Sequence, residues 1–151
     1  MRVMFKPSAI VDDFAFSPNG RSLVSPSKKL VCIWTLRDGS EKVLPVTRRT
    51  SLFASVAFSP DGRYIAGGDC DGSLWIWDSR SYTLVAEWRG HTQCARCIEF
   101  SKNGILLIGG CDDGTITCWD VTLLGTSPDL QSFPQIREFS RQTVGFFVVF
   151  F

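Results

Sequence analysis

Short apolar runs broken by turn residues fill this chain, and no window of useful length carries a helical period. Val56 and Phe58 alternate with Ala57 at the two-residue period of a strand. Pro60-Asp61-Gly62 then reads as a turn, because proline fixes its own φ and glycine accepts a positive one. Arg63 to Gly67 predicts a second short strand, and Asp71-Gly72 a tight hairpin. Ser73 to Trp77, rich in large and β-branched residues, predicts a third strand. Thr83 to Trp88 supplies a fourth. The unit is a four-stranded antiparallel meander.

The unit repeats. Phe16-Ser17-Pro18-Asn19-Gly20 returns as Phe58-Ser59-Pro60-Asp61-Gly62 and as Phe100-Ser101-Lys102-Asn103-Gly104, in steps of 42 residues. Trp34, Trp77 and Trp119 follow at steps of 43 and 42. Phe14 and Phe16, then Ile98 and Phe100, repeat the first strand. Asp113-Gly114 repeats the hairpin turn, and Thr115 to Trp119 the third strand. A period of roughly 40–45 residues, with four strands in each unit, points to propeller blades.

With those motifs in order, residues 10–124 resemble the WD-repeat family. Trp77-Asp78 and Trp119-Asp120 match the dipeptide that names the family, and Gly90-His91 matches its Gly-His signature. The resemblance implies an all-β fold, an incomplete WD40 β-propeller of about three four-stranded antiparallel blades. Blade 1 takes residues 10–50 and is degenerate: it ends Trp34-Thr35 and carries Lys28-Lys29 where the others carry Asp-Gly. Blade 2 takes residues 51–90 and blade 3 residues 91–125. Within residues 1–9, Arg2 to Phe5 fits an outer strand of a preceding blade. Residues 126–151 form a loop and tail. Ile136 to Ser140 fits the outer strand of blade 3. Val144 to Phe151 is either the first strand of a truncated fourth blade or an unrelated apolar tail.

The family's His, Asp, Ser/Thr and Trp network within a blade is implied only in part. His91, Asp113 and Trp119 match three of its places, and a His91–Asp113 hydrogen bond is expected. The Ser/Thr place falls near Gly109 to Cys111 and is lost. Blade 2 keeps Asp71 and Trp77 without a histidine.

Charge narrows the function little. Sixteen Lys and Arg nearly balance fifteen Asp and Glu, so nothing draws in nucleic acid or an anionic membrane. No apolar stretch approaches the roughly 20 residues of a membrane span. The six cysteines are scattered among apolar stretches, which reads as free thiols in a reducing compartment, cytoplasmic or nuclear.

Candidate chemistry is sparse, and no cofactor is expected. Cys94-x-x-Cys97 with His91 nearby is the one grouping with metal or catalytic character, but it lacks a second ligand pair and straddles a strand entry. Asp69-Cys70-Asp71-Gly72 and Asp112-Asp113-Gly114 lack the remaining ligands of a calcium loop, so hairpin turns explain them. Gly67-Gly68 and Gly109-Gly110 read as close packing rather than a phosphate loop.

The expected function is therefore a protein–protein interaction scaffold that is not an enzyme. Its contacts are expected on turns at the blade ends, with Lys28, Arg48, Arg49, Asp69, Arg89 and Arg96 as candidates. A metal or catalytic site near His91, Cys94 and Cys97, and a non-functional gene fragment, stand as alternatives. Three blades leave two outer sheet faces, expected to carry residues such as Phe14, Phe16, Ile98 and Phe100 or their opposite-facing neighbours. Self-association or further propeller blades would cover them.

Overall fold

A computed structural model describes residues 11–47, 51–124 and 135–139. Arg48, Arg49, the segment Arg2 to Phe5 and the tail from Val144 onward lie outside the described residues.

The described residues hold three four-stranded antiparallel sheets, each a simple meander. Blade 1 consists of β1 (Ala15–Phe16), β2 (Ser22–Ser27), β3 (Leu30–Thr35) and β4 (Glu41–Val43). Blade 2 consists of β5 (Phe53–Phe58), β6 (Tyr64–Asp69), β7 (Ser73–Asp78) and β8 (Leu84–Arg89). Blade 3 consists of β9 (Ala95–Phe100), β10 (Leu106–Cys111), β11 (Ile116–Asp120) and β12 (Gln135–Phe139). The last strand pairs with β11, with Ile116 opposite Phe139.

Blade 2 turns one face to blade 1 and the other to blade 3. On blade 2, Phe53, Val56, Ile65, Trp75 and Trp77 pack against Val24, Val31, Ile33 and Leu44 of blade 1. Its other face presents Ala57, Ala66, Leu74, Ile76 and Trp88 to Ile98, Phe100, Leu107 and Trp119 of blade 3. This is why β7 reads Leu-Trp-Ile-Trp with no polar residue between, all four being fully buried. A strand covered on both faces has no wet side to alternate with. By contrast, Arg96, Cys97 and Glu99 of β9 are exposed, and Ile116 of β11 is 49% exposed. Among the described residues, blade 3 is covered on one face only.

Of the four residues named for the outer faces, two turn inward, and there the opposite-facing neighbours Cys97 and Glu99 stand outside. Ile98 and Phe100 are each 7% exposed and sit between blades 2 and 3. Phe14 and Phe16 do stand in solvent, 58% and 56% exposed, with their rings edge to face. The four came from equivalent positions in the repeat. The structure separates them because blade 3 has a predecessor among the described residues and blade 1 has none.

The repeated Phe-Ser-x-Asn/Asp-Gly segment has a physical cause that three copies make plain. Ser59 Oγ donates to Asp61 Oδ1 at 2.6 Å and accepts from the Tyr64 N–H at 2.8 Å, while the Arg63 N–H donates to Asp61 Oδ1 at 3.0 Å. Ser17 with Asn19, and Ser101 with Asn103, do the same in blades 1 and 3. The serine closes the turn from inside, so Ser101 is half-buried rather than on an exposed turn. Ser59→Ala is expected to lower stability by about 1–2 kcal/mol in urea unfolding, because the Tyr64 N–H loses a buried partner. Ser101→Ala is expected to cost a similar amount, and no effect from either would remove the serine from the turn's energetics.

Candidate functional site

One end of the stack gathers the chemistry singled out from the sequence. The β2–β3, β6–β7 and β10–β11 hairpins turn there, and so do the links that lead into β5 and β9. Backbone bonds lock each hairpin to the neighbouring link. The Phe53 N–H donates to Lys28 O at 2.8 Å, and the N–H groups of Gly90 and His91 share Gly72 O at 3.0 and 2.9 Å. Lys28 takes a left-handed conformation, φ +56°, as Gly72 and Gly114 do in the other two hairpins.

The structure redistributes the expected roles. Asp69 was a candidate contact residue, yet it is fully buried. Its carboxylate accepts from the N–H groups of Asp71 and Ser73 at 3.0 and 2.9 Å and from Trp75 Nε1 at 3.1 Å. Asp71, expected in the buried network, is exposed. Trp77 is buried as expected, but its Nε1 donates to Pro45 O of the preceding segment at 2.7 Å. Asp69 closes strand β6, where alternation sends it inward, whereas Asp71 lies in the turn and points out. Spacing within the repeat equates Asp69 with Cys111, so comparing the repeats hid this role.

In blade 3, His91 and Trp119 are both buried and their rings meet edge to face at 5.1 Å. Asp113 is exposed and takes Thr92 Oγ1, Thr115 N and Thr115 Oγ1 as its donors, the last two at 2.9 and 2.6 Å. The expected His91–Asp113 hydrogen bond is thus replaced by Asp113 bonds to threonines beside it. Those hydroxyls, Thr115 first and then Thr92, hold the Asp113 carboxyl well below the usual carboxylate range. His91 Nε2 is buried without a hydrogen-bond partner. It faces Gly109, where a Cβ would stand only 2.5 Å away. The hydroxyl-bearing residue that the sequence lacks here leaves its mark as that unpartnered nitrogen.

Burial lowers the His91 pKa below the ordinary 6.5, while the charges of Asp113 and Glu138 pull it the other way. With the folded pKa below the unfolded one, the unfolded chain takes up the proton first. The contribution of a neutral His91 is therefore present above the ordinary value and lost as pH falls through it toward the lower folded value. Wild-type stability to urea is expected to fall between about pH 7.5 and pH 5.5, and the fall to be smaller in His91→Gln. Equal pH dependence in the two proteins would exclude His91 as its source.

Around His91 opens a cleft of about 320 Å³, lined among others by Arg89, Thr92, Asp113 and Glu138. Lys28, Arg89 and Arg96 are all exposed. Arg89 reaches His91 O at 3.4 Å, and Arg96 pairs with Asp112 at 2.8 Å. Arg48 and Arg49 lie outside the described residues. His91, Cys94 and Cys97 do not converge. His91 packs on Trp119, Cys94 is bonded to Cys70, and Cys97 is exposed on the uncovered face of blade 3. The expectation of six free thiols fails at the Cys70–Cys94 disulfide, which joins blade 2 to the entry of blade 3. No sequence signal marks this pair, because nothing in a 24-residue separation says that the two loops touch.

Among the described residues, no group of three or more His, Cys, Asp or Glu is placed to hold a metal ion. Among them also, no helix is long and apolar enough to cross a membrane. The surface at this end offers paired charges, hydroxyls and hydrogen-bonding loop backbone, which is the chemistry of polar recognition.

The sequence matches the family described as WD domain, G-beta repeat, at residues 49–78 and 82–120. It is 31% identical over 84 residues to the protein groucho of Drosophila melanogaster, covering 54% of this chain and 12% of groucho. It is also 31% identical over 84 residues to transducin-like enhancer protein 2 of Mus musculus, covering 54% of this chain and 11% of that protein. The matched segment thus spans about a tenth of the length of these relatives. In fold, the chain is similar to the crystal structure of the RRP9 WD40 repeats, with a TM-score of 0.79 at 19% identity over 92% of this chain and 41% of that one. The repeated motifs, the three stacked meanders and the family match agree: residues 49–120 carry WD repeats of this family, in a chain whose described residues form three blades of a β-propeller fold.

Proposed function

We propose that the chain is a protein–protein interaction scaffold without catalytic activity, working inside the cell as part of a larger propeller. The observation that carries this is the division of labour within the blades. Two inter-blade cores consume the strand faces, while the hairpins and strand ends at one end of the stack carry the exposed charges Lys28, Arg89 and Arg96. Strands spent on packing leave loops to do the binding. Near-balanced charge favours protein over nucleic acid or membrane as the partner. Exposed Phe14, Phe16 and Ile116 favour completion of the propeller by further blades or by another copy.

Proximity labelling in cells tests the contact surface. Lys28→Glu, Arg89→Glu and Arg96→Glu together are expected to remove the specific protein neighbours of the wild type. Arg37→Glu with Arg80→Glu, on exposed turns at the opposite end, should keep them. The reverse pattern would move the binding surface to the other end, and loss of none would end the proposal for both.

A further inference from the structure

Cys70 follows β6 directly, in the hairpin of blade 2, and Cys94 directly precedes β9 of blade 3. Their sulfurs are bonded across the junction of the two blades. The backbone around each cysteine is held independently of that bond. The Cys70 N–H donates to Leu52 O at 2.8 Å, and Cys94 O accepts from the Asp112 N–H at 3.1 Å. Two residues beyond Cys70, Gly72 O binds the N–H groups of Gly90 and His91, in the loop that leads to Cys94. Ser55 Oγ donates to Ala95 O at 3.0 Å beside the same loop. With the bond open, these contacts would still keep the two thiols adjacent, so closing it needs little new order in the chain.

We infer that Cys70 and Cys94 form a reversible redox modification site, a latch between blades 2 and 3 that a low-molecular-weight disulfide such as oxidised glutathione closes. Cys70 is the half-buried member and Cys94 is 6% exposed, so Cys70 meets the reagent. Its thiolate attacks one sulfur of glutathione disulfide, and the S–S bond breaks to release one glutathione thiolate. The Cys94 thiolate then attacks the Cys70 sulfur of the mixed disulfide and expels the second glutathione thiolate. Two protein thiols are oxidised to one disulfide, one glutathione disulfide is reduced to two glutathione molecules, and the two thiol protons end on the leaving thiolates.

Cys32 competes poorly for Cys94. Cys32 lies in blade 1, where burial first and then Glu41 push its thiol up to about 12, so it stays protonated at neutral pH. Cys97 is exposed on the uncovered face of blade 3, and Cys111 closes β10.

The test uses the whole chain, reduced and then equilibrated with glutathione buffers of rising oxidised fraction. Alkylation followed by mass spectrometry counts thiols and maps the bond. Six reactive cysteines under denaturing conditions are expected after reduction and four after oxidation, with the bond between the Cys70 and Cys94 peptides. The oxidised protein is expected to melt about 5–10 °C above the reduced one, and reductant should reverse the shift. Cys70→Ala and Cys94→Ala should each abolish the shift. Six thiols surviving oxidised glutathione, a bond mapped to Cys97 or Cys111, or equal melting of the two forms would each overturn the latch. Because the wild type alone gives the thiol count and the map, a variant that fails to fold does not rescue it.

Discussion

Asp69→Ala is expected to destabilise the protein by about 3–5 kcal/mol, one of the two largest single-residue losses anticipated here. The carboxylate is fully buried and satisfies three donors at once: two backbone N–H groups of its own hairpin and the Trp75 indole. Alanine removes the acceptor from buried donors, each costing about 1–3 kcal/mol, partly offset because a buried charge also disappears. The loss is comparable to the whole stability of a marginal domain. Asp69→Asn keeps one accepting oxygen and should fall between wild type and alanine. Asp71→Ala, at the exposed site, should cost less than about 1 kcal/mol. Urea unfolding of the three variants measures this, and similar losses at 69 and 71 would mean that the buried hub is misassigned.

Gly72→Ala is expected to cost about 3–5 kcal/mol, and Gly114→Ala only about 1–2 kcal/mol. The two glycines occupy the same place in successive hairpins with the same φ of +83°. Both therefore pay the left-handed penalty on gaining a side chain. Only Gly72 adds a collision. Its new Cβ would run into the His91 carbonyl and stand 2.7 Å from Gln93 O, whereas among the described residues nothing lies within 4 Å at Gly114. The obstructing atoms are backbone. They cannot withdraw without breaking the bonds from Gly90 and His91 to Gly72 O. Equal losses at the two positions in thermal or urea unfolding would show that the link to blade 3 does not press on the hairpin.

That pair shows how far a repeat can be read from sequence. The motif makes Gly72 and Gly114 equivalent, and their shared φ bears this out. What separates them is the link to the next blade, which lies over one hairpin and leaves the other open. The serine of each Phe-Ser-x-Asn/Asp-Gly turn was legible in principle, since it recurs at 17, 59 and 101 with its partner two residues on. The buried role of Asp69 was not legible, because the residue one period later is Cys111.

By itself the sequence determined the strands, their four-strand meander, the turns and the period that makes blades. These depend on side-chain alternation and on backbone preferences of neighbouring residues, which are written locally. The family resemblance also implied places for His91, Trp77 and Trp119 in a blade network. Only the tertiary structure decided what meets each face. It buried Ile98 and Phe100 while leaving Phe14 and Phe16 wet, gave Asp113 to Thr92 and Thr115 instead of His91, and brought Cys70 to Cys94. A strand's alternation fixes which side chains point to a face, but not whether another blade stands there. That depends on the stacking of whole sheets, whose contacts join residues far apart in the chain.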